Sequence, residues 1–397
     1  MRLEETPEQQ ALRKELREYF SDLLTDDVRA QLGGAGEGGP MYRRMVRRMG
    51  ADGWLGIGWP KAYGGQGRPA TDQFIFFDEV QRAGAPFPFV TINTVGPTIM
   101  AFGSEEQKQF FLPAIVSGEL VFAIGYTEPE AGTDLASLRT RAERDGDEYL
   151  INGNKVFTSQ ANDSDYIWLA CRTNPDAPKH KGISIIAVPT SAPGFSWTII
   201  RTVGRTTTCA TYYDNIRVPV SARIGPENEG WRMITTQLNH ERVGLAAMGG
   251  PAYRLWDEVL AWSRSTPAGD GSDRRMVDLP WVQTDLARSH ARLAAMRLLN
   301  WRMAGALEAG GITAADSSAV KVYGTECLID VFRTLLGVLG PVGYLRAGSP
   351  GAVLHGQIEL QARSAQINTF GGGVNDVQRE IIAAAGLGMA RRARDAQ

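Results

Sequence analysis

The spacing of apolar residues along this chain changes twice. Leu12, Leu16, Tyr19, Phe20 and Leu23 recur at helical spacing. Just before them, Thr6, Pro7 and Gln9 read as N-cap, first helical position and capping-box partner. A glycine-rich stretch from Gly33 to Pro40 predicts a loop. The helix after it carries a basic stripe, Arg43, Arg44, Arg47 and Arg48, opposite Met45 and Met49. That stripe reads as a solvated face, with contact to coenzyme phosphates as the alternative. A turn-rich loop at 59–65 leads to a helix near 72–82, and Ser104 with Gln107 forms a second capping box.

From 121 to about 220 the period shortens. Apolar runs at 149–151, 166–171, 183–188 and 197–200 are separated by Gly, Pro, Asn and Asp, the pattern of short strands. From 229 onward helical spacing returns over 231–248, 253–263, 281–307, 317–339 and 351–367, with a polar loop at 263–280. Long helices on short connections predict an antiparallel bundle. The expected class is therefore α+β. It has an N-terminal α-helical domain (1–121), a middle β domain folded as a small barrel or sandwich, with the central barrel expected (122–228), and a C-terminal four-helix bundle (229–397).

Composition narrows the function classes. At 397 residues the chain is too long for one ordinary core. Hydrophobic residues at 43%, charged residues at 22% and a net charge of −2 describe a globular chain with no general attraction to nucleic acid or anionic lipid. Cys171, Cys209 and Cys327 are too few and too scattered for a disulfide framework or a metal cluster. The acidic N-terminus lacks an apolar signal region, and no uninterrupted apolar run is long enough to span a bilayer. A cytoplasmic location is expected.

Two segments carry candidate chemistry. Tyr126-Thr127-Glu128-Pro129-Glu130-Ala131-Gly132-Thr133-Asp134 offers backbone N–H groups around a glycine and a hydroxyl, a setting for a pyrophosphate. Asn152-Gly153-Asn154-Lys155-Val156-Phe157-Thr158-Ser159 offers a flat ring and two hydroxyls for the edge of an isoalloxazine. Taken singly, each also reads as a hairpin turn, since Asp145-Gly146 and Asn152-Gly153 are strong turn signals. Together, at this spacing, they resemble the flavin-binding signature of the acyl-CoA dehydrogenase family. The resemblance covers essentially the whole chain and is strongest over 122–140, 166–184 and 230–243. The wording there is similar to one subunit of heterotetrameric dehydrogenases that shorten steroid side chains, acting on a pregnene-20-carboxyl-CoA.

The resemblance implies FAD, held by Tyr126, Thr127, Gly132, Thr133, Phe157, Thr158 and Ser159. It also implies an acyl-CoA substrate and an electron-transfer flavoprotein or similar acceptor. The expected assembly is an oligomer, either a heterotetramer with a related subunit or a homo-dimer or tetramer. Removing hydrogens across the α,β bond needs a carboxylate for the α-proton, strengthened as a base by an apolar pocket. Many family members place that glutamate shortly before an Ile-Gln-Arg. Anchored on Gln378-Arg379, its place here falls on Gly372, which cannot accept a proton. The family's second solution is a Glu-Arg pair on a bundle helix, and Leu238-Asn239-His240-Glu241-Arg242-Val243 supplies one. Glu241 is thus the candidate base, with an ordinary surface glutamate as the alternative. Arg242, about 100° further round a helix, is assigned with Gly372 to the substrate. Loss of side chains at Gly371, Gly372 and Gly373 leaves room for a bulky acyl group, or makes a tight turn.

Two family motifs that reach a neighbouring subunit's flavin are incomplete. Arg274-Arg275-Met276-Val277-Asp278 lacks the phenylalanine, and Gly337-Val338-Leu339-Gly340-Pro341 lacks the glutamine. A heteromeric partner would compensate for this; sequence drift is the competing explanation. A non-catalytic scaffold subunit and a flavin monooxygenase on the same fold remain open at this point, because fold alone does not decide function.

Overall fold

Both capping boxes form. Thr6 N–H donates to Gln9 Oε1 at 2.9 Å and Gln9 N–H to Thr6 Oγ1 at 3.3 Å, opening α1 (Pro7–Leu23). The helices α2 (Asp26–Leu32), α3 (Pro40–Ala51), α4 (Ala70–Ala83) and α5 (Gly96–Phe102) follow. Ser104 and Gln107 then make the same exchange at 2.9 and 3.2 Å to open α6 (Glu105–Val116). The computed structural model describes residues 4–32, 38–204, 207–237, 249–309 and 311–389. The chain divides into two compact units, Met1–Asp22, Ala70–Ala85 and Arg242–Gln397 in the first, and Leu23–Pro69 and Pro86–Glu241 in the second.

The first unit is helical. It contains α1, α4, α7 (Gly250–Ser265), α8 (Pro280–Glu308), α9 (Ala314–Leu339), α10 (Gln357–Ser364) and α11 (Asn375–Ile381). Leu255 and Val259 of α7, Leu286 and Leu293 of α8, and Leu328 and Phe332 of α9 belong to its core. Gly250 lets α7 press against α4, since a methyl group there would meet the Arg82 and Gln81 backbone. Arg13 ties α1 to α4 through Asp78 at 2.6 Å and Glu79 at 2.5 Å, and it also meets Glu5 at 2.5 Å. Counted through Tyr344, α9 is long and apolar enough to cross a membrane, yet half of its apolar window is buried within the structure. It is the core helix of this unit rather than a bare apolar rod.

The second unit carries the sheet. Its strands are β1 (Phe122–Gly125), β2 (Arg141–Asp145), β3 (Glu148–Lys155), β4 (Tyr166–Arg172), β5 (Ile183–Pro189), β6 (Phe195–Arg201), β7 (Thr207–Pro219) and β8 (Arg223–Ile224). They run in the order β6-β7-β3-β2-β4-β5-β8, with β1 parallel to β4. The expected barrel is not formed. Closure requires the two end strands to pair, but among the described residues β6 bonds only to β7 and the two-residue β8 only to β5. Alternating hydrophobicity tells which residues face the core, not which strands become neighbours.

Asp145-Gly146 is the β2–β3 turn, with Gly146 at φ 64°. Asn152-Gly153 is not a turn: pairing with β7 continues past it through a bulge between Ile151 and Gly153. Gly153 has φ 148°, and a methyl group there would lie 2.8 Å from Thr140 Cα, so only glycine fits. The bulge re-aims the end of β3, where Lys155 lies within the second candidate segment.

Candidate active site

The two candidate segments meet, and a buried ion pair joins them. After β1 the chain makes a tight loop in which Glu128 and Ala131 exchange backbone hydrogen bonds, both at 3.1 Å, with Pro129 and Glu130 at the exposed tip. Val156 N–H donates to Thr127 C=O at 2.8 Å, which pairs the loop with the chain leaving β3. Lys155, 1% exposed, donates its Nζ to Glu128 Oε1 at 2.8 Å and to Tyr126 C=O at 3.0 Å. The Glu128 carboxylate also accepts from Arg139 N–H at 2.7 Å and Thr140 N–H at 2.8 Å. Burial alone would raise its pKa, but the Lys155 ammonium and the Thr140 donor outweigh that and hold it below the usual carboxylate range.

The residues expected to hold the cofactor fall into two groups. Thr127 is half-buried, and Gly132, Thr133, Phe157 and Ser159 are exposed. A methyl group on Gly132 would meet no protein atom closer than Thr127 Cγ2 at 3.9 Å, and its φ is not left-handed. Neither crowding nor conformation demands glycine there. A bare backbone facing open space suits the close approach of a phosphate. Phe157 is 62% exposed and sits at φ 61°, a conformation that costs a bulky residue about 1–3 kcal/mol and concentrates at functional sites. These residues fit a flavin dinucleotide. By contrast, Thr158 is fully buried, with its hydroxyl 3.3 Å from that of Thr211 and its N–H donating to Cys209 C=O at 2.9 Å. Ser159 Oγ donates to Thr208 Oγ1 at 3.2 Å and remains exposed.

Tyr126 is also engaged inward. Its hydroxyl bonds to Gln237 Oε1, and Trp168 Nε1–H lies 3.0 Å from the Tyr126 hydroxyl and 3.1 Å from Gln237 Oε1. The loop's first residue is thereby pinned to β4 and to the helical segment 230–237.

In the first unit, Gly372 and Gly373 adopt φ 66° and 95°. Lys321, 1% exposed, holds this loop by donating to Gly373 C=O at 2.8 Å, Thr369 C=O at 3.2 Å and Asn375 Oδ1 at 2.6 Å. Asp376, four positions after Gly372 in sequence, is 91% exposed at its side chain. Arg274 pairs with Asp270, and Arg275 N–H donates to Asp278 at 2.7 Å. Glu241 and Arg242 lie outside the described residues.

Sequence reasoning missed Lys155, Trp168, Gln237 and Lys321 as positioning residues. A signal existed for two of them. Lys155 shares its strand face with Ile151 on a period of two, and Lys321 shares a helical face with Thr325, Leu328 and Phe332. A lysine on an otherwise apolar face points to a buried cation with specific acceptors.

Comparison with known proteins agrees with this geometry. Models of the acyl-CoA dehydrogenase N-terminal, middle and C-terminal domains match residues 6–119, 123–216 and 228–387. The chain is 51% identical over 400 residues to acyl-CoA dehydrogenase FadE26 of Mycobacterium tuberculosis, covering 98% of this chain and 99% of the relative. Among solved structures it is similar to the Tcur3481-Tcur3483 steroid ACAD, with a TM-score of 0.94 and 60% identity over 99% of this chain and 100% of that one. It is also similar to the ChsE4-ChsE5 complex from Mycobacterium tuberculosis, with a TM-score of 0.93 and 52% identity over 99% of this chain and 100% of that one. With three domain models matched in order and a 51% identical relative covering 98% of it, the chain belongs to the acyl-CoA dehydrogenase family and is an FAD-dependent enzyme acting on an acyl-CoA thioester.

Proposed function

We propose that the protein introduces the α,β double bond into a bulky, steroid-derived acyl-CoA during side-chain shortening, with Glu241 as general base. The observation that carries this reading is the joined pair of segments, in which Lys155 and Val156 fasten the chain before Phe157 to Tyr126, Thr127 and Glu128. It presents Gly132, Thr133, Phe157 and Ser159 outward for the flavin. The flavin supplies the acceptor for the β-hydrogen, which leaves as hydride. Glu241 takes the α-proton, and the electron pairs of the two broken C–H bonds become the new C=C bond and the departing hydride. Arg242 and Gly372 contact the substrate, Gly372 by leaving space that a side chain would fill.

The steroid assignment is supported by kinship with a protein described as a steroid ACAD, and by the two-component names of both solved relatives. We assign the chain accordingly to a hetero-oligomer with a related subunit, in the cytoplasm, passing electrons to an electron-transfer flavoprotein or similar acceptor. The test is a screen of acyl-CoA thioesters for anaerobic flavin bleaching, with and without the related subunit. Bleaching fastest with ring-bearing thioesters in the two-subunit complex is expected. A preference for short straight chains would contradict the substrate assignment, and full activity of the chain alone would contradict the assembly.

A further inference from the structure

The end of the glycine-rich stretch and the start of the basic stripe share one neighbour, the chain at 160–165. Gly39 N–H donates to Asp163 Oδ2 at 3.0 Å. Gly38 has φ 118°, and a methyl group there would lie 3.2 Å from Asp163 Cβ, so conformation and space both call for glycine. In the first turn of α3, the Tyr42 hydroxyl accepts from Gln160 Nε2 at 3.2 Å, and both residues are buried. Arg43, expected on a solvated face, donates through Nη2 to both Asp165 carboxylate oxygens at 2.7 and 2.6 Å. Gly39, Tyr42 and Arg43 thus seat Asp163, Gln160 and Asp165 at the start of α3, and all six lie within the second unit.

These contacts fix the far end of the loop that carries Phe157 and Ser159. The near end is fixed by Lys155 and Val156, and the middle rests on β7 through the Thr158 N–H to Cys209 C=O bond. Between these supports the chain passes through two left-handed residues, Phe157 at φ 61° and Gln160 at φ 64°. Neither is a residue type that favours this conformation, which persists only where the surroundings over-determine it. Gln160 combines the left-handed backbone with a buried side chain anchored on another element. Its C=O also accepts from Asp163 N–H at 2.9 Å, which joins it to the Gly39 contact. The Tyr42 contact therefore constrains the backbone itself, three positions after Phe157.

We propose that Gln160 is a positioning residue for the flavin. Clamped by Tyr42, it holds the loop in the shape in which Phe157 and Ser159 meet the cofactor, and so helps to set the flavin's affinity and reduction potential. The proposal rests on the assignment of Phe157 and Ser159 to the flavin. Two substitutions test it in the flavin-loaded protein. Gln160→Asn accepts the left-handed backbone more readily than glutamine but is one methylene too short to keep the contact. Tyr42→Phe keeps the buried ring and removes the oxygen. Arg43 is left intact, because its buried Nη1 has no partner and a substitution there would alter more than the loop contact. Each variant should weaken flavin binding about two- to tenfold, the worth of one neutral hydrogen bond. Each should also shift the midpoint potential, measured by spectroelectrochemistry, in the same direction. Because both break one contact, the double variant should be no worse than either single one. Lower stability with wild-type flavin affinity and potential would overturn the proposal and leave the contact as a brace of the fold. Additive effects would overturn it too, since Gln160 and Tyr42 would then act separately. A wild type that binds no flavin would overturn the flavin assignment itself and the proposal with it.

Discussion

Lys155 Nζ lies 2.8 Å from Glu128 Oε1, both side chains are buried, and the pair is the joint between the two segments assigned to the flavin. Removing one member of a buried pair leaves the other charge uncompensated, at a cost of about 3–5 kcal/mol. Lys155→Met should therefore lower stability by roughly that amount and release the flavin more readily. Chemical unfolding and flavin retention on gel filtration check both. A stable variant that keeps its yellow colour would show that the joint does not position the cofactor loop.

The same pair sets an acid limit. The Glu128 carboxyl is held below its ordinary value of 4.5 by Lys155 and Thr140, against the opposing effect of burial. Below 4.5 the unfolded chain takes up this proton more readily than the folded one, so stability from Glu128 is complete above 4.5 and is lost as pH falls through the lower folded value. Urea unfolding across that range should show a shallower acid decline in Glu128→Gln than in the wild type. Parallel curves would assign the decline to other carboxylates.

Lys321 should matter through the glycine loop it holds. Its three acceptors, Gly373, Thr369 and Asn375, lose a charged donor in Lys321→Met. Hydrogen bonds to a charged group are worth about 1.5–3 kcal/mol each, and partial relaxation brings the expected loss to about 2–4 kcal/mol. The accompanying prediction is faster amide exchange confined to 369–375. Exchange unchanged there would mean that the loop is held by Gln378 and its own turns.

The legible parts of this chain were those encoded by neighbours in sequence. Thr6 with Gln9 and Ser104 with Gln107 are three residues apart, and both boxes formed. The apolar strands β4 and β5 stand where the pattern put them, because their residues are buried almost throughout. The polar strand β2, Arg141–Asp145, shows only Ala142 buried, so its existence depends on β3 beside it. Pairing partners decided the remaining differences. Asn152-Gly153 became a bulge because β7 pairs on both sides of it, and the sheet stayed open because β6 and β8 do not pair with each other. In the site, the glycine and aromatic residues were visible from their motif. The partners of Lys155 and Lys321 were not, since Glu128 and Asn375 stand 27 and 54 positions away from them.

The assignment of the proton acceptor is tested most directly by anaerobic mixing of the flavin-loaded Glu241→Gln variant with an acyl-CoA that bleaches the wild type. Thioester binding with the flavin remaining oxidised is the predicted result, because a carboxamide cannot remove the α-proton. Bleaching at the wild-type rate would contradict the account and move the base to another residue.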